Sequence, residues 1–142
     1  MKDTIAHLFD VHMQKMYNYI QALMYETKIP SPHKTYSGLR AVLHTFRDCL
    51  TVEEAAHLSA QLPMIMRGIF YEGWVPSATP KKIKDLDDFF YNVSVEASNT
   101  LTISEAEQMT YATLFILNQY ISEGELDKLK KILPKHLKNI LP

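Results

Sequence analysis

The chain has 142 residues, 46% of them hydrophobic, 22% charged and 11% aromatic, enough for one domain with a core and too apolar for wholesale disorder. Fifteen basic residues against sixteen acidic ones leave a formal charge of −1, so no global field selects nucleic acid or an anionic membrane. Four glycines argue against an all-β sandwich or a glycine-rich phosphate loop, and a single cysteine, Cys49, leaves no intrachain disulfide to form.

Residues 4–28 are predicted to be helical. Apolar side chains fall at Ile5, Phe9, Met13, Met16, Ile20 and Leu23, in steps of four, four, three, four and three, which is a helical stripe with Asp3 as its N-cap. His7, Asp10 and His12 interrupt that stretch, so it reads neither as a signal-peptide core nor as a membrane span, and a cytoplasmic protein is expected. Pro30 and Pro32 stop the helix, because the residue before proline is pushed out of the helical region. Ser31 and Pro32 then serve as N-cap and first residue of a second helix, expected to bury Tyr36, Leu39, Val42, Leu43, Phe46 and Leu50. Thr51-Val52-Glu53-Glu54 is a capping box opening a third helix that runs to Leu62, and Pro63 suits the first turn of a fourth.

The second half repeats this order. A shift of 71 residues lays 41–70 on 112–141, with Ala41, Leu43, Glu54, Leu58, Leu62 and Pro63 on Ala112, Leu114, Glu125, Leu129, Leu133 and Pro134. Thr51 falls on Ser122, and with a one-residue slip Met16, Ile20 and Leu23 fall on Leu86, Phe90 and Val93. The expected fold is therefore all-α: about eight helices in two tandem four-helix repeats, 4–72 and 85–141, joined by a linker over 73–84 and sharing one core as a single domain. The apolar sixth helix, with Tyr111, Leu114, Phe115, Ile116, Leu117 and Tyr120, is expected at the centre.

Duplication allows a subtraction. Residues common to both halves are explained by folding, so polar residues peculiar to one half are the better functional candidates: Arg47, Asp48, His57, Gln61 and Gly68, with Tyr71, Glu72 and Trp74 after them. Glu54 and His57 share a helical face, the step used by di-iron bundles, but only one copy is present and Glu54 already has a capping role, so they are weak metal candidates. His44 and Asp48, spaced by four, can meet on the second helix. Arg40, Arg47, Asp48, Glu54 and Arg67 read either as a structural ion-pair network or as a notch in which two guanidiniums grip a carboxylate or phosphate. Tyr71 and Trp74 are either core packing or an exposed anchor for a partner. Lys128, Lys130, Lys131, Lys135 and Lys138 go round their helices without a base-reading motif, which makes nucleic acid an improbable partner.

Arg40-Ala-Val-Leu-His44, Arg47-Asp-Cys-Leu-Thr-Val-Glu-Glu-Ala-Ala-His-Leu58, Ala60-Gln-Leu-Pro-Met64, Arg67-Gly68 and Tyr71-Glu-Gly-Trp74 together resemble the signature of the bacterial domain-of-unknown-function family 2267 (DUF2267). Cys49 stands where a basic residue is usual there, and Phe70 where tyrosine or leucine is. The resemblance implies a bacterial, cytosolic helical domain with no established activity, cofactor or catalytic residues. The leading expectation is a binding module that meets a protein partner or a second copy of itself, through the polar network and the Tyr71–Trp74 cluster. The alternative is a metal- or small-anion-binding enzyme using Glu54, His57, Asp48 and Arg67; no cofactor is expected under the first.

Overall fold

Several helices start where a side chain can serve their unpaired amides. In the computed structural model, which describes residues 1–132 and 135–141, Ser31 Oγ accepts from the Lys34 amide (3.1 Å) and opens α2, Pro32–Asp48. Thr51 and Glu54 form the full capping box at α3, Val52–Ser59, with bonds of 3.2 and 3.3 Å. A second full box, Thr102 with Glu105, opens the later helix Ile103–Leu117. The first helix, α1, runs over Lys2–Thr27 from Met1, so Asp3 lies in its first turn and does not cap it. There its carboxylate still faces the positive end of the helix dipole. α4 is Met64–Tyr71; a 3₁₀ turn at Pro76–Ala78 leads to α5, Leu86–Glu96, then α6, Ile103–Leu117, and α7, Glu123–Ile132.

Among the described residues the fold is all-α, with seven helices and no strand. The expected eighth helix is instead a 3₁₀ stretch, Lys135–Ile140. Its six residues carry two apolar side chains where α4 has six in eight, so less burial offsets the cost of ordering a helical turn. Leu133 and Pro134, which the alignment of the halves also uses, lie outside the described residues. α3 ends at Ser59, short of the expected Leu62, and a turn carries the chain to Pro63.

α2 packs against α4, α5 and α6, while α1 crosses α6, α2 and α4. Their buried residues form a cluster running from Tyr19 and Leu23 through Leu39, Phe70, Phe89 and Met109 to Leu141. α6 is central, although Tyr111 and Phe115 on its outer edge stay exposed. Tyr36, expected inside, is also exposed, under the Arg40 guanidinium at 5.9 Å from its ring centroid. Gly38 marks where α2 and α6 meet: a Cβ there would lie 2.9 Å from Met109 Cγ. The starts of α2 and α6, and those of α3 and α7, are each 71 residues apart. Among the described residues, no helix is long and apolar enough to cross a membrane.

Candidate functional site

The end of α2 carries the polar group that the sequence singles out. Arg47 is 4% exposed, and its guanidinium spans two directions. Nε donates to Asp48 Oδ1 (2.9 Å); Nη1 donates to the carbonyls of Phe70 (2.9 Å) and Glu72 (2.7 Å), the last turn and C-cap of α4. A buried cation is tolerable there because a carboxylate and carbonyl dipoles replace its water. One turn earlier, His44 Nε2 lies 2.7 Å from the Ile69 carbonyl and, since a carbonyl only accepts, must carry the proton. Burial holds this imidazole below its ordinary pKa of 6.5, against the pull of the Ile69 carbonyl, with Arg47 and Arg40 also disfavouring the charged form. Arg40 clasps Glu72 through two bonds, of 3.1 and 3.4 Å. α2 thus holds the end of α4 with three side chains from successive turns.

These residues line a polar cleft of about 420 Å³ with Lys81 and Glu96. Its cations are already paired: Arg40 with Glu72, Arg47 with Asp48, and Lys81 with Asp48 at 3.7 Å. The Lys81 amide also donates to the Asp48 carbonyl (2.6 Å), which pins the connecting segment to α2. Beside it, Cys49 donates to the Thr45 carbonyl, and burial, aided by Asp48 and Asp88, pushes its thiol up to about 12. Such a thiol is inert at neutral pH.

Arg67 is not in that cleft. It reaches back across the turn after α3 and donates to the carbonyls of Ser59 (2.9 Å), Leu62 (3.0 Å) and Ala60 (3.3 Å). The Ser59 carbonyl also accepts from the Leu62 amide (3.0 Å), so the guanidinium ties together a turn that the backbone has already closed. Tyr71 shares a hydroxyl–hydroxyl bond with Ser59 on the same turn. Its ring packs between Phe70 and Trp74, with centroids 5.4 and 5.2 Å away. Tyr71 and Trp74 are half-buried against the core, and the Trp74 indole N–H is buried with no partner among the described residues.

Glu54 is spent on its cap and His57 stands exposed on α3. Neither lines the cleft, and among the described residues no group of three His, Cys, Asp or Glu side chains is gathered to hold a metal. Gln61 joins the halves, its Oε1 accepting from the Ser122 amide at 2.7 Å just before α7. At α3 the Thr51 amide is served by Glu54 from within the cap, whereas before α7 Gln61 serves the Ser122 amide from outside. Gly68 faces open space.

The most unusual surface lies on α1. The apolar stripe of α1 is continuous, yet only its later part is covered. Tyr19, Leu23 and Thr27 are buried, with Met16 and Ile20 packed at the edge. The Tyr19 hydroxyl donates to the Thr113 carbonyl at 3.1 Å, and burial raises its pKa well above the usual value. On the four turns before Met16 the same stripe stands in water, with Ile5 52%, Leu8 65%, Phe9 53% and Met13 62% exposed. The helix projects about 21 Å past the body at 1.5 Å per residue.

The chain matches the model of an uncharacterised conserved protein family (DUF2267) over residues 17–140, and it belongs to that family. No curated protein matches it. The match begins at Tyr17, where α1 enters the body, so the projecting turns precede it.

Proposed function

We propose that this protein is a non-enzymatic binding module that works by protein–protein contact, and that its contact surface is the projecting part of α1. One observation carries this reading: Ile5, Leu8, Phe9 and Met13 lie on the stripe that packs the body, and are each more than half exposed. A contiguous apolar face on a polar molecule marks an interaction site. A helical stretch this short, largely exposed, draws little stability from propensity alone. With Met1, the face offers roughly 500 Å² at about 100 Å² for each apolar side chain, or about 12 kcal/mol of gross transfer energy. That is comparable with the cost of association, about 4–15 kcal/mol.

The polar cleft acts on this reading as the fastening that holds α4 to α2. Arg40, Arg47 and Asp48 each spend their charge within it, while Arg67, Tyr71 and Trp74 brace the turn after α3. A metal- or anion-dependent reaction through Glu54, His57, Asp48 and Arg67 has less support, since only Asp48 of the four lines the cleft. The tandem arrangement, 4–72 and 85–141 about a linker at 73–84 and one common core, is part of the proposal. What supports it is the 71-residue offset between matching helix starts and the Gln61–Ser122 bond between the halves. A single cysteine suits a reducing cytoplasm.

The test is a photo-cross-linking side chain at position 9 or at position 14, in cells that make the protein. Gln14 lies on the opposite face of α1, bonded to Asn18. Position 9 is expected to give a discrete adduct, identified by mass spectrometry, and position 14 none. No adduct from position 9, or equal adducts from both, would overturn the reading.

A further inference from the structure

We infer that the occupant of this face is a second copy of the same chain, the two projecting helices packing antiparallel across a two-fold axis near Phe9. This rests on the binding-module reading and names its partner. Four features of α1 point there.

First, the stripe is complementary to itself. With Phe9 on the axis, Ile5 lies level with Met13 of the second copy, so apolar side chains meet apolar side chains on both sides of the axis. An interface of this kind uses one patch twice and closes on itself as a dimer. Second, the area reaches what a small dimer interface needs. Roughly 500 Å² from each copy gives about 1,000 Å², the lower bound for a specific interface. Third, the charges permit it. The ionised side chains of residues 2–15 are Lys2, Asp3, Asp10 and Lys15, which cancel. Two copies therefore meet without like-charge repulsion, whereas nucleic acid or an anionic membrane would find no excess of basic groups. Fourth, the length matches. Each projection reaches about 21 Å, so antiparallel packing brings the first turn of one copy to where the other's helix enters its body. No exposed apolar turn is left over on either copy.

Two measurements decide the matter. Sedimentation equilibrium of the purified chain is expected to give twice the 16.4 kDa chain mass, falling to the monomer value in Phe9→Glu. A central aromatic on a two-fold is lost from both sides at once, so the dissociation constant is expected to rise by at least about thirtyfold. In a Cys49→Ser background, Phe9→Cys is expected to form a disulfide dimer under mild oxidation and Gln14→Cys to stay monomeric. This second test does not depend on how Phe9→Glu folds. A wild-type chain that is monomeric at every loading concentration, or a dimer that Phe9→Glu leaves intact, overturns the inference. If the purified chain is monomeric while position 9 cross-links to a different protein in cells, the self-pairing falls and the binding module stands. If both experiments are blank, both fall.

Discussion

Replacing Arg47 by alanine isolates what the buried polar group does. The change deletes the donors for the carbonyls of Phe70 and Glu72 and leaves Asp48 with Lys81 at 3.7 Å as its remaining cation. The Phe70 carbonyl is buried, and a buried acceptor without a donor costs about 1–3 kcal/mol. Removing one member of a buried ion pair costs about 3–5 kcal/mol, because the other charge stays behind. Water can reach the Glu72 carbonyl and Asp48 through the cleft, so the expected total lies near the lower end, about 3–4 kcal/mol. For a domain of this size that lowers Tm by roughly 10 °C. Arg47→Lys is expected to fall between, since an ammonium replaces the charge but cannot span Asp48 and both carbonyls. Thermal unfolding followed by circular dichroism reads all three proteins. A Tm for Arg47→Ala within about 2 °C of wild type would refute the fastening role and return Arg47 to the list of free, ligand-facing cations.

Arg67→Lys is expected to cost about 1 kcal/mol, because the three carbonyls it serves are at a partly solvated turn; chemical denaturation measures it, and an unchanged midpoint would contradict the bracing role. Two glycines should behave oppositely. Gly38→Val forces a side chain into Met109 and is expected to destabilise by at least about 1–3 kcal/mol. Gly68→Ala fills open space on a helix and is expected to stabilise by about 0.5–1 kcal/mol. His44 makes stability depend on pH. Its folded pKa lies below 6.5, so the unfolded chain takes the proton first as pH falls. Its contribution is complete above about pH 6.5 and declines below it. His44→Gln, which keeps an N–H for the Ile69 carbonyl, is expected to flatten the Tm profile between pH 7.5 and 5.5; a wild-type profile already flat there would contradict the argument.

Helix starts were the most legible part of the molecule, since Ser31, Thr51 and Pro32 act through bonds within one turn, and such bonds depend on sequence alone. The Thr102–Glu105 box follows the same rule and is written in the same form, Thr-x-x-Glu ahead of an apolar run. Helix ends were less legible. α3 stops at Ser59, where backbone turn bonds close its end and Arg67, eight residues on, braces the turn that follows. Which charges converge was only half legible. Arg40, Arg47 and Asp48 share one helix and so must lie together. Arg67 looked like their partner from its type, yet it faces the other end of its own short helix. The stripe of α1 shows the limit most plainly. Periodicity tells which face is apolar, but what covers that face depends on where the neighbouring helices end.

Amide hydrogen exchange of the wild-type chain, read residue by residue along α1, addresses that cover directly. Residues 5–13 are expected to exchange slowly at high protein concentration and to lose that protection on dilution and in Phe9→Glu. Residues 19–27, packed on the body through Tyr19, Leu23 and Thr27, should stay protected throughout. Fast exchange over 5–13 at every concentration would mean that nothing docks on this face of the purified protein, and would contradict the account.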